Sequence, residues 1–161
     1  MGFFDSLFGK KSTDQPQQAQ QQQQVQQQPA ASPTPQSSGQ GKKILIVEDE
    51  KLLANALELK FVHEGFEVFK AENGQIGLEM AQVKKPNIIL LDLMMPVMDG
   101  KTMLHQLRQI PEFKYLPVIV LTNAGEIDNV RETKFYDNAS EFLIKSNVNP
   151  DDIVKVVNDL I

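Results

Sequence analysis

The sequence predicts an α/β fold, a parallel sheet of five strands covered by helices on both faces. Three observations carry this reading. Residues 44–47, 88–91 and 118–121 are continuous apolar runs, the pattern of strands buried on both faces of a parallel sheet. Between them, apolar residues recur at the three-and-four spacing of helices. The runs also end in polar residues, which puts charge at the carboxyl edge of the sheet, where open α/β folds bind ligands.

The elements follow in order. The domain begins near Lys43, with a first strand over residues 44–47 that runs into Glu48-Asp49-Glu50. Leu52, Leu53, Ala56, Leu57, Leu59 and Phe61 predict a helix, which Gly65 stops. Phe66-Glu67-Val68-Phe69 reads as a short strand and Asn73-Gly74 as a turn. Ile76, Leu78, Met80, Ala81 and Val83 then predict a helix up to Pro86. The third strand ends in Asp92. Pro96 ends any ladder because it lacks an N–H, and Asp99-Gly100 turns the chain into a helix marked by Met103, Leu104 and Leu107. Residues 117–121 form a fourth strand ending in Thr122, and a helix is expected over residues 127–135. Residues 141–144 form a fifth strand ending in Lys145. Asp151 or Asp152 is expected to open a closing helix through Ile153, Val156, Val157 and Leu160. With right-handed crossovers this alternation is a flavodoxin-like (βα)5 doubly wound sheet, strand order 2-1-3-4-5.

Composition narrows the chemistry. Residues 42–161 make one ordinary domain. The formal charge of −5 belongs to it entirely, because Lys10 and Lys11 cancel Asp5 and Asp14 upstream. An acidic domain offers no basic face to nucleic acid. With no cysteine, disulfides, thiolate metal sites and cysteine nucleophiles are excluded. No run of 18 apolar residues and no secretory h-region occur, so a cytoplasmic protein is expected.

The first 41 residues read differently. In residues 1–11, Phe3, Phe4, Leu7 and Phe8 would share one helical face ahead of Lys10 and Lys11. This is the pattern of a short amphipathic docking segment, for a peripheral membrane surface or for a protein. Residues 12–41 are a Gln/Pro-rich linker, with Gln at eleven of the fourteen positions from 15 to 28. Its composition predicts a disordered tether spanning about 30 Å.

The strand order brings Glu48 and Asp49, Asp92, Thr122 and Lys145 to one edge of the sheet. Any one of them has a plain explanation as a cap or a solvated side chain. Their meeting at four strand ends does not. Clustered carboxylates repel one another and call for a cation, and oxygen ligands without nearby His or Cys suit Mg2+. Asp92 is then a candidate nucleophile towards phosphorus. Lys145 would neutralise the transferring group and Thr122 would hydrogen-bond the product, an acyl phosphate on Asp92.

These residues carry a resemblance. Glu48-Asp49-Glu50 after the first strand, Asp92-Leu93-Met94-Met95-Pro96 through Asp99-Gly100, Leu121-Thr122 and Phe142-Leu143-Ile144-Lys145 resemble the receiver domain of two-component response regulators over residues 42–161. The resemblance implies that Asp92 takes a phosphoryl group from the phosphohistidine of a histidine kinase or phosphotransfer protein. It implies Mg2+ on Asp49, Asp92 and the backbone carbonyl of Met94, with Glu48 acting through water. Thr122 would then move towards the phosphoryl group and Phe142 would swing inward, reshaping the face that meets a downstream protein. Such a protein is a phosphoacceptor rather than an enzyme.

This sequence departs from the family pattern at four positions. Glu48 replaces the commoner Asp, and Asn123 stands where a small residue is usual. Ser146 replaces the proline that usually follows the lysine, so the cis peptide of the family is not implied here. Met94, two residues after Asp92, cannot orient an attacking water, so a long-lived acyl phosphate is expected. Since the chain stops after the fifth helix, output is expected through contacts of the domain itself or through the phenylalanine-rich leader. The alternative is an adaptor that uses the fold only as a phosphorylation-independent docking surface, tethered to a membrane or an assembly. A phosphohydrolase with an aspartyl intermediate would need an acid where Met94 stands.

Overall fold

The computed structural model describes residues 41–126 and 139–161. The strands are β1 (Lys43–Val47), β2 (Glu67–Ala71), β3 (Ile88–Asp92), β4 (Val118–Thr122) and β5 (Glu141–Ile144). The helices are α1 (Lys51–His63), α2 (Gly74–Lys84), α3 (Gly100–Gln109) and a closing helix, Pro150–Leu160. All strand pairs are parallel, in the order β2-β1-β3-β4-β5. This is the expected flavodoxin-like (βα)5 sheet. The helix expected over residues 127–135, the docking segment of residues 1–11 and the linker up to residue 40 lie outside the described residues.

The strands show why unbroken apolar runs mark this fold. Leu45, Val47, Ile89, Leu91, Val118 and Val120 face a core shared with Leu78, Ala81, Met103, Leu104 and Leu107 from α2 and α3. Ile44, Ile46, Ile88, Leu90, Ile119 and Leu121 face the opposite core, with Leu57 and Phe61 of α1 and Ile153, Val154 and Val157 of the closing helix. Successive side chains point to opposite faces. Both faces are covered, so no position in these strands is left for a polar residue until the strand ends.

Helix ends are set by local chemistry. Gly65, at φ 87°, closes α1: its N–H donates to the Val62 carbonyl, and that of Phe66 donates to the Phe61 carbonyl, each at 3.0 Å. This pairing satisfies two carbonyls at the helix end and needs a left-handed residue. Asn73 does more than turn the chain. Its side chain accepts a hydrogen bond from the Ile76 N–H at 3.0 Å and caps α2.

Three expectations need correction. The second strand is Glu67–Ala71, and Phe66 is buried just ahead of it, because the ladder begins where Glu67 pairs with Lys43. The closing helix is opened by Asn149 ahead of Pro150, not by Asp151 or Asp152. Asn149 accepts from the Asp152 N–H at 3.0 Å and Asp152 accepts from the Asn149 N–H at 3.2 Å, a reciprocal cap. On α1, Leu52 and Leu59 point to solvent, and Ala54, Leu57 and Phe61 fill the core.

Candidate functional site

The site is built at the carboxyl ends of the strands. Glu48 leaves β1 with its N–H bonded to the Ala71 carbonyl at 3.0 Å, which holds it over the sheet edge. Asp92 is the last residue of β3 and Thr122 the last of β4, and all three are buried. Asp49, one residue past Glu48, is exposed. Oxygens of Glu48, Asp49 and Asp92 all lie within 4.8 Å of one another.

Lys145 enters this acidic cluster from the end of β5. Its Nζ lies 2.9 Å from Asp92 Oδ2, 2.8 Å from Glu48 Oε2 and 3.0 Å from Glu48 Oε1. The two carboxylates it bridges are almost wholly withdrawn from water, which strengthens the attraction and raises the cost of losing it. Around it, the Glu50 N–H donates to Glu48 Oε1 at 3.2 Å, and the Met94 N–H reaches Asp92 Oδ1 at 3.4 Å. The Thr122 hydroxyl donates to the Asn123 carbonyl at 3.4 Å.

The electrostatics follow from this burial. Glu48 is pushed up from 4.5 to about 7, chiefly because burial disfavours its charge and also because Asp92 is close, while Lys145 pulls the other way. Burial opposes the charge of Lys145 as well. Its hydrogen bonds to Glu48 and Asp92 outweigh that cost and hold the ammonium above the ordinary lysine range.

The structure thus brings Glu48, Asp49, Asp92 and Lys145 together, with Thr122 at the neighbouring strand end. Phe142 stands in β5, paired in register with Val120, half-buried against the α2–α3 core. Lys145, Ser146 and Asn147 form a short 3-10 turn, with the Ser146 hydroxyl bonded to Asn147 at 3.1 Å. Met94 exposes its side chain beside the cluster, on a cleft of about 500 Å3 that Asp49, Pro96, Asp99 and Lys101 also line. Asp99 does more than turn the chain: it caps α3, accepting from the Thr102 N–H at 2.8 Å, a role signalled by an acid immediately before a helix.

A family model, the response regulator receiver domain, matches residues 44–158. The chain belongs to that family. The fold is therefore that of a receiver domain of a two-component response regulator. Among curated proteins, this receiver is 40% identical over 103 residues to the transcriptional regulatory protein SrrA of Staphylococcus aureus, a match covering 64% of this chain and 41% of SrrA. The chain thus spans about two fifths of the length of the curated relatives it matches. Among solved structures, it is 27% identical to the chemotaxis response regulator CheY4 of Vibrio cholerae, with a TM-score of 0.67 over 74% of this chain and 98% of that one. The receiver domain of sensor histidine kinase PA1611 from Pseudomonas aeruginosa PAO1 shares the fold at 22% identity and a TM-score of 0.67, over 74% of this chain and 97% of that one. Its structure has a magnesium ion coordinated in the active-site cleft.

The donor set of this receiver fits such an ion. Three carboxylates converge with no nitrogen or sulfur ligand among them, the hard-oxygen environment that Mg2+ selects. Among the described residues, no helix is long and apolar enough to cross a membrane.

Proposed function

We propose that this receiver accepts a phosphoryl group on Asp92 from the phosphohistidine of a histidine kinase or phosphotransfer protein, in a Mg2+-dependent reaction. The observation that supports it most is the placement of Lys145 between two buried carboxylates, with Asp49 completing an oxygen cluster. Asp49, Asp92 and the Met94 carbonyl would hold Mg2+, and Glu48 would act through a bound water. The ion supplies charge neutralisation on the transferring group.

The chain's own residues do the rest. An oxygen of Asp92 attacks phosphorus as the P–N bond to the donor imidazole breaks, and the imidazole leaves with its electron pair and takes up a proton. Lys145 is already within ion-pair distance of Asp92 and need only shift its contact from the carboxylate to the phosphoryl oxygens. Thr122, at the end of the adjoining strand, would turn its hydroxyl to the same group, and Phe142 would move into the space behind it. The product state would then present a changed surface to a downstream protein target, which makes the domain a phosphoacceptor rather than an enzyme. Phe3, Phe4, Leu7 and Phe8 would dock on a membrane or on a protein, away from nucleic acid.

The test is incubation of the full chain with acetyl phosphate, with Mg2+ or with EDTA, read by intact mass. A single phosphoryl adduct that needs Mg2+ is expected. Absence of an adduct in both arms would favour the phosphorylation-independent adaptor.

A further inference from the structure

The loop between β3 and α3 carries the Met94 carbonyl, and backbone hydrogen bonds tie it down. The Gly100 N–H donates to the Leu93 carbonyl at 3.0 Å and the Met98 N–H to the Pro96 carbonyl at 2.8 Å. The Gly74 N–H, at the start of α2, donates to the Met98 carbonyl at 2.9 Å. Val97, at the tip of the loop, has a φ of 68°, which a β-branched residue adopts only where its surroundings impose it. The loop is a constrained support.

Gly100 lies at its base, buried, in the first turn of α3. It is not one of the left-handed glycines, so space rather than conformational freedom is what it supplies. A Cβ there would stand 3.0 Å from both the Asp92 carbonyl carbon and Leu93 Cα, and far inside contact with the Asp92 carbonyl oxygen. All three are backbone atoms. No rotamer change relieves the clash, so either α3 or the end of β3 must shift.

We propose that Gly100 is a positioning residue for the phosphoacceptor. Its missing side chain lets the first turn of α3 seat directly on the backbone of Asp92 and Leu93. That seat sets where the Asp92 carboxylate and the Met94 carbonyl stand relative to Glu48 and Asp49. The inference rests on the reading of Asp92 as the phosphoacceptor. It adds a residue outside the carboxylate cluster on which the cluster's geometry depends.

The experiment compares wild type, Gly100→Ala and Gly77→Ala. Gly77 is the crowding control: buried in α2, a Cβ there would meet only side-chain atoms, Met103 Sδ and Val47 Cγ1 each at 2.9 Å, away from the loop and from the backbone of Asp92. Three readouts are taken: far-UV circular dichroism, amide chemical shifts of Asp92, Leu93 and Met94 in metal-free protein, and phosphorylation rate against Mg2+ concentration. Gly100→Ala is expected to fold, to move those three amides, and to lose at least about tenfold in apparent Mg2+ affinity and in rate. Gly77→Ala is expected to leave the three amides in place and both constants within about threefold of wild type. Wild-type behaviour of Gly100→Ala, or equal losses in both variants, overturns the proposal. If Gly100→Ala does not fold, Asp99→Ala decides. It removes the cap that holds the same turn and leaves Gly100 in place, so unmoved Asp92, Leu93 and Met94 amides in a folded, metal-free Asp99→Ala would overturn the proposal. Failure of wild type itself to bind Mg2+ or take a phosphoryl group would instead overturn the reading of Asp92.

Discussion

Lys145 and Asp92, fifty-three positions apart in sequence, stand 2.9 Å from one another at the edge of the sheet, and the same ammonium contacts Glu48. The contact neutralises part of an acidic cluster that burial would otherwise make costly. It also places a cation where a phosphoryl group on Asp92 would need one.

Replacing Lys145 with methionine keeps the length of the side chain and removes its charge. The two buried carboxylates then face each other with no cation between them, and a loss of about 2 kcal/mol is expected in urea denaturation. Added Mg2+ should restore much of that loss, because a divalent cation answers the same repulsion. The phosphorylation rate should fall by about tenfold or more.

Glu48 gives a pH dependence with a definite sign. Its carboxyl is raised from 4.5 to about 7 in the folded protein, so the folded state holds a proton that the unfolded chain has lost across that interval. Stability in metal-free protein should therefore fall as pH rises from about 4.5 to about 7, by on the order of 3 kcal/mol at most. Glu48→Gln should flatten this slope. Mg2+ binding near pH 6 should release protons, so calorimetry in buffers of different ionisation enthalpy should give different heats.

Met94 stands two residues after Asp92 with an exposed, apolar side chain. It offers no group to orient a water for attack on the acyl phosphate, so hydrolysis should be slow, with a half-life of minutes or longer. Met94→Asn supplies an amide at that point and should shorten the lifetime by about tenfold. Following loss of the phosphoryl adduct after removal of donor measures both. A wild-type half-life of seconds would contradict the prediction.

The leader yields a simpler comparison. Substituting Phe3, Phe4 and Phe8 by serine removes most of the apolar side chains of residues 1–11 and leaves their charge unchanged. If those side chains meet lipid, co-sedimentation with anionic vesicles should be lost in the variant. Equal pelleting of both chains would point away from lipid.

Most of the sheet was legible because β1, β3 and β4 are buried on both faces, so residues 44–47, 88–91 and 118–121 had to be apolar without alternation. α1 was less so. Periodicity marks a helix but does not say which apolar side chains face inward, and here Leu52 and Leu59 lie outside while small Ala54 lies within. The start of the closing helix was less legible because Asp151 and Asp152 are themselves capping residue types, and it is the reciprocal bonding of Asn149 with Asp152 across Pro150 that sets the first turn. At the site, each acid announced itself by ending an apolar run. The seat of Gly100 on Asp92 was hidden, because Asp99-Gly100 carries the local signature of a turn and the close approach arises only when α3 packs back against β3.

Asp92, as the proposed phosphoacceptor, is put to the test by intact mass after incubation with acetyl phosphate and Mg2+, for wild type and for Asp92→Ala. One phosphoryl adduct in wild type and none in the variant is the predicted result. An equal adduct on Asp92→Ala, or none on wild type, would contradict it.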